Sequence, residues 1–228
     1  MSRRRRRKFS REPFEAVIED LSHDGRGVAT HEEKKVFIHS ALPGERVSAQ
    51  LTGRRRHFDE AEAIEVLEPS KDRVEPRCPH FGQCGGCSLQ HLSPEKQIEA
   101  KHHTLQQNLA RIGKVTPEAW WEPMTGPLWA YRRKARLSVR YVHKKERVLV
   151  GFRERYGAFV ADMGECHVLD PRIAEHLGGL SGLIFELDAR RTIPQIEVAC
   201  GDSQCALVFR HLEPLSVGDQ EKLRSFAR

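Results

Sequence analysis

The sequence has no apolar run approaching the roughly 20 residues that a membrane-spanning helix needs. Its 228 residues are 39% hydrophobic and 31% charged, with a mean hydropathy of -0.58, so a membrane partner is not expected. Nor does an apolar stretch follow the five arginines Arg3 to Arg7. What comes next is Phe9-Ser10-Arg11-Glu12-Pro13, so a secretory signal is not expected and a cytoplasmic location is. The first eleven residues also lack any acid while holding seven basic groups, so the whole net charge of +6 sits in that arm. A second tract, Tyr131 to Arg155, carries ten Lys or Arg against Glu146 and Glu154 alone, leaving the rest of the chain nine charges negative. Two local basic tracts on an otherwise acidic chain point to a polyanion partner, because uniform basicity would have served solubility. On charge alone, a solvated tail and a charged sheet face explain the tracts equally well.

The length allows one or two domains. Residues 13 to 67 read as short strands broken by Asp24-Gly25-Arg26-Gly27 and Pro43-Gly44, the pattern of a small five-stranded barrel. Val47, Ala49 and Leu51 alternate on one face, whereas Ala61 and Ala63 are in one phase and Ile64 and Val66 in the other. Such a switch predicts a bulge that curls the sheet. Arg54, Arg55, Arg56 and His57 would project from a loop tip, as a hairpin end in solvent or as an RNA contact. Beyond Pro69 and Pro76, Ser93 and Pro94 open a helix with Ile98, Leu105, Leu109 and Ile112 on one stripe, closed by Gly113. From Lys134 the chain alternates again, with Ala135, Leu137, Val139 and Tyr141 on one face and Lys134, Arg136, Ser138 and Arg140 on the other. A hairpin to Arg153, a helix over Arg172 to Leu187, strands at Gln195 to Ala199 and Cys205 to His211, and a helix from Ser216 complete the reading.

Six cysteines could form three disulfides, but no export signal supports this. Cys78, Cys84 and Cys87 form C-x5-C-x2-C in a Gly-rich loop, and Cys166 is the best-placed fourth donor. Three near ligands and one distant one is a spacing used by iron-sulfur clusters. Zinc stays open beside it, with His80, His91 or His167 as nitrogen donors. Gly85 and Gly86 would let backbone amides approach the sulfurs. Cys200 and Cys205 read as small core residues rather than nucleophiles.

These motifs carry a resemblance: Arg77-Cys78-Pro79-His80-Phe81-Gly82 with Cys84-Gly85-Gly86-Cys87, then Tyr131-Arg132-Arg133-Lys134-Ala135-Arg136, Gly151-Phe152-Arg153 and Cys166. Together they resemble the iron-sulfur RNA uracil-C5 methyltransferases, and among these the 23S ribosomal RNA enzymes with an N-terminal TRAM domain. The likeness spans nearly the whole chain. It implies an α+β chain: a basic arm (1–12), an OB-like TRAM barrel that binds RNA (13–69), and a mixed α/β central domain (70–228). Cys78, Cys84, Cys87 and Cys166 would hold a [4Fe-4S] cluster. Ribosomal RNA would be met by Arg132, Arg133, Lys134, Arg136 and Arg140, with Arg54, Arg55 and Arg56 on the barrel.

Members of that family also methylate through S-adenosylmethionine and a cysteine that adds to C6 of uracil. The sequence offers neither an Asp-x-Phe-x-Gly-x-Gly turn for that cofactor nor a Ser-Cys-Asn-Pro nucleophile motif. The expectation is therefore that the Rossmann-like methyltransferase domain is absent, that the chain has no catalytic or S-adenosylmethionine-binding residues and is inactive alone, and that helix 93–113 packs on the missing domain. No obligate protein partner is expected. The alternative is a stand-alone RNA-binding iron-sulfur or zinc protein.

Overall fold

A computed structural model describes residues 12–227. The arginines of the basic arm, Arg3 to Arg7, lie outside the described residues, as does the expectation placed on them. The chain divides into two compact units: residues up to Pro76 with Ser88–Pro123, and Arg77–Cys87 with Met124 onward. This division groups 88–123 with the N-terminal unit, whereas the sequence reading groups them with the central domain.

The first unit is built on strands β1 (Phe14–Val17), β2 (Asp20–Leu21), β3 (Gly27–His31), β4 (Lys34–His39), β5 (Arg46–Arg54) and β6 (Phe58–Glu68), in the order β1-β5-β6-β4-β3-β2. β1 and β2 are halves of one kinked strand: Ile18 donates to the Glu45 carbonyl and Glu19 to the Val28 carbonyl, so its first half follows β5 and its second β3. That arrangement is the five-stranded barrel expected, with β4 and β6 parallel. Val47, Ala49 and Leu51 point inward with Ile18, Val36, Ile38 and Ala61. The phase switch on β6 has its bulge, because the β5/β6 register shifts between Ser48 and Ala49 and again between Leu51 and Gly53. Ala61 is buried and Val66 packs against the barrel core, while Ile64 turns out to solvent.

Helix α1 (Pro94–Asn108) starts behind Ser93 and runs into a π-helical turn at Leu109–Gly113. The expected close at Gly113 moves by one residue, since Lys114 takes the left-handed conformation. The apolar stripe is present but none of it is buried: Leu105 is 50% exposed and Ile112 79%. Val115 and Trp121 add exposed apolar surface in the same unit.

The second unit contains β7 (Lys134–Val142), β8 (Arg147–Gly151), β9 (Gln195–Cys200) and β10 (Cys205–Arg210), in the order β10-β9-β7-β8. All three pairings are antiparallel, and β7–β8 and β9–β10 are hairpins, which only antiparallel neighbours can form through a short turn. One face, carrying Leu137, Val139, Val148, Val150, Ile196 and Val198, packs with Leu177, Leu180 and Ile184 of the helical segment. The helix expected over 172–187 is broken into α2 (Pro171–Ala174) and α3 (Leu177–Glu186). His176 leaves helical geometry at φ −102°, and Gly178-Gly179 behind it favour helix weakly. Helix α4 (Val217–Phe226) is capped by Ser216, and its buried Asp219 accepts from the amides of Asp188 and Ala189. Among the described residues, no helix is long and apolar enough to cross a membrane.

A candidate thiolate centre and a cationic sheet

The cysteine loop folds back on itself through tight turns, with the Phe81 amide donating to the Cys78 carbonyl and that of Cys84 to the His80 carbonyl. Gly82 sits at φ +92°, a conformation that side chains disfavour. The loop then joins the segment after β8: Gly85 donates to the Arg153 carbonyl at 2.9 Å, and Arg155 to the Gln83 carbonyl at 2.8 Å. A Cβ on Gly85 would stand 3.0 Å from that Arg153 oxygen, which accounts for glycine there. Arg155 also donates to the Cys87 carbonyl at 2.5 Å and stacks its guanidinium over Phe81. The extension of the β7–β8 hairpin therefore clamps the loop.

Cys78, Cys84, Cys87 and Cys166 are all outside disulfides, with Cys84 and Cys166 buried. They share one neighbourhood. Burial pushes the Cys78, Cys84 and Cys166 thiols up, and the thiolates of the other cysteines in the set push the same way. Backbone amides oppose this: Gly86 donates to the Cys84 sulfur, His80 to Cys78, and Val168 and Leu169 to Cys166. Arg132 also lowers the cost of a Cys166 thiolate, and it stacks over Phe152. Four sulfurs, amide donors and a nearby cation form a donor set suited to a soft metal centre.

Of the nitrogen donors considered, His91 belongs to the other unit, and His167 pairs with Glu165 at 3.4 Å and edges the Trp129 ring. Cys200 and Cys205 pack partly buried against the core, and the structure also joins them in a disulfide across the β9–β10 hairpin, which leaves no free thiol to act as a nucleophile. Sequence spacing could have found this pair, since both residues sit at the ends of strands joined by a four-residue turn. With Asp170 they form a three-donor group within 4.8 Å, but bonded sulfurs offer no thiolate to a metal.

The basic residues divide by what they touch. Arg54 pairs with Glu32 at 2.9 Å and Arg55 with Glu60 at 2.9 Å, whereas the exposed Arg56 makes no ion pair among the described residues. Arg133 pairs with Asp202. Lys134, Arg136 and Arg140 line the exposed face of β7 and make no ion pair among the described residues.

Residues 7–64 match the model of the TRAM domain. The 23S rRNA (uracil(1939)-C(5))-methyltransferase RlmD of Alkalilimnicola ehrlichii is 54% identical over 225 residues, covering 99% of this chain and 51% of that protein. The chain carries a TRAM domain and matches, along nearly its whole length, about half of the 23S rRNA uracil-C5 methyltransferases it resembles. The RlmD protein of Xanthomonas oryzae pv. oryzae agrees, at 53% over 228 residues with the same coverages. The chain thus spans about half the length of the curated relatives it matches.

Its fold also matches a tRNA (uracil-54, C5)-methyltransferase of Pyrococcus abyssi solved with S-adenosyl-L-homocysteine. The TM-score is 0.64 at 21% identity, covering 91% of this chain and 48% of that one. This corrects the expected fold class. The Rossmann-like methyltransferase domain was expected to be absent from the fold, whereas 91% of the chain superposes on 48% of a uracil-C5 methyltransferase, so its fold is like one that such an enzyme contains. The motifs sought in the sequence report on single turns, whereas the superposition reports on the packing of whole sheets, and the two need not coincide.

Proposed function

We propose that this chain holds ribosomal RNA for 23S rRNA uracil-C5 methylation, through its TRAM barrel and the cationic face of β7, and that Cys78, Cys84, Cys87 and Cys166 carry a [4Fe-4S] cluster. The observation that carries the reading is the shared neighbourhood of four thiols outside disulfides, brought from two segments about 80 residues apart. When bound, the cluster supplies iron–thiolate bonds that close the long loop between Cys87 and Cys166.

The sequence spacing of the sulfurs supports a cluster over zinc: three cysteines in C-x5-C-x2-C with a distant fourth resemble an iron-sulfur ligand set, whereas zinc ribbons use two separated C-x2-C knuckles. This chain's residues do the rest. Arg155 fixes the Cys87 segment, Arg132 offsets thiolate charge at Cys166, and Lys134, Arg136 and Arg140 meet phosphates, with Arg56 contributing from the barrel. Arg132, Arg133, Arg54 and Arg55 have partners already, so an RNA phosphate would compete with these. The apolar surface of α1 and the residues after it is the face that would meet the remaining half of the longer relatives.

The test is anaerobic purification of the chain with iron and sulfide analysis. About four of each per chain, with visible absorption that bleaches on reduction and is lost in Cys166→Ser, is expected. Stoichiometric zinc without sulfide would overturn the cluster.

A further inference from the structure

The sheet of the second unit has a face that neither α3 nor the core covers. On it, Ala206, Ala199 and Lys134 lie side by side across β10, β9 and β7, and Val208, Glu197 and Arg136 form the next row. The small side chains leave a groove of about 600 Å³, which Arg132 and Phe152 also line. Its walls differ in chemistry. Lys134 and Arg136 are exposed cations on β7, while Ala199, Ala206 and Val208 present exposed apolar surface toward β10.

Glu197 decides what the groove can take. A site for phosphate alone would not place a carboxylate beside its two cations, since like charge repels the ligand. This carboxylate stays ionised: the hydrogen bonds from Arg210 hold it below the usual range, and Arg136 and Lys134 act in the same direction. Its Oε1 accepts from Arg210 and Gln195, leaving Oε2 as an acceptor that takes neither. An acceptor in the middle, an apolar shelf on one side and cations on the other match an unstacked nucleotide. The ring lies on the shelf, an N–H of the base edge donates to Glu197, and the flanking phosphate meets Lys134 and Arg136.

We propose that this groove is a subsite for one unstacked nucleotide of single-stranded RNA, with Glu197 reading a donor on the base. The inference rests on the RNA-binding reading above and names which part of the RNA this face takes. The two can fail separately.

The experiment measures binding of the full chain to a short single-stranded RNA, to the same strand with its bases removed, and to a duplex, each across a salt series. Arg136→Ala should reduce the slope of log K against log salt by about 0.7, one phosphate contact's share. Ala206→Leu fills the shelf from an exposed edge-strand position, so folding is not at stake. It should weaken binding of the intact strand about tenfold, leave the salt slope unchanged and abolish the advantage over the base-free strand. If Ala206→Leu keeps that advantage, or if the wild-type chain prefers duplex, the nucleotide subsite is overturned while RNA binding stands. If no strand binds with any salt dependence, the RNA reading itself fails.

Discussion

The amide of Gly86 donates to the Cys84 sulfur at 3.4 Å while the Phe152 ring closes over the same glycine. A Cβ at that position would stand 3.0 Å from the ring and 3.4 Å from the sulfur. Gly86→Ala must therefore displace Phe152 or the thiol. We expect a loss of about 1 to 3 kcal/mol, typical of overpacking, together with reduced iron content. Thermal melting and iron analysis of the anaerobic protein check this, and a variant with full iron and an unchanged melt contradicts it.

Arg155 carries the second clamp, through its bond to the Cys87 carbonyl and its stack on Phe81. Arg155→Ala should remove a charged hydrogen bond worth about 1.5 to 3 kcal/mol and speed iron release to a chelator. Arg155→Lys should rescue only part of that, because an ammonium does not reproduce the planar stack. Equal release rates in all three proteins would show that the clamp is dispensable.

The barrel and both hairpins were legible because their strands alternate with period two and their turns carry Gly, Asp or Pro. The bulge on β6 was legible for the same reason, as a change of phase at Ala63. What the residues did not reveal came from contacts distant in sequence. Nothing local marks Arg54 for Glu32 or Arg133 for Asp202, and cation-aromatic stacks such as Arg132 on Phe152 leave no periodic trace. The helix over 172–187 failed at His176 because the apolar pattern continues across a break in the backbone. The cysteine spacing is visible in the sequence, yet the amides that donate to Cys78, Cys84 and Cys166 depend on backbone positions that no spacing encodes.

The Cys200–Cys205 disulfide closes a very short loop, so its entropic contribution is modest, about 2 kcal/mol. Cys200→Ser should lower stability by that amount in oxidising buffer and leave it unchanged under reductant. Thiol titration of the denatured, metal-free wild type should find four reactive cysteines of the six. Six would mean that the hairpin is not bridged.

Arg172 bonds Asp170 through both side chain and backbone and holds its carboxyl down to about 2, from an ordinary 3.8. Since the folded value is the lower one, the stabilisation is present above pH 4 and is lost as pH falls toward 2. Asp170→Asn should flatten the acid limb of the stability curve between those values. Arg172 also reaches the Gly201 and Asp202 carbonyls, so nuclear magnetic resonance of the β9–β10 turn should report the same titration. A turn indifferent to acid in this range counts against the linkage.

Glu45 and Arg73 tie the barrel to the segment that follows β6. Glu45 is fully buried, and it accepts from Arg73 at 2.6 and 2.8 Å and from the amides of Leu42 and Ser70. Burial pushes this carboxyl up, but Arg73 and the two amides outweigh it and hold it below its ordinary value. Its stabilisation is therefore complete at neutral pH and lost on acidification below the ordinary carboxylate range. Arg73→Met leaves a buried carboxylate without its cation and should cost about 3 to 5 kcal/mol. Adding Glu45→Gln to that variant removes the stranded charge and should recover part of the loss, because the amide oxygen still accepts from Leu42 or Ser70. Chemical denaturation of both single variants and the double variant at pH 7 measures the coupling. Strictly additive losses would mean that the pair is two independent contacts rather than the latch between β6 and the residues leading to the cysteine loop.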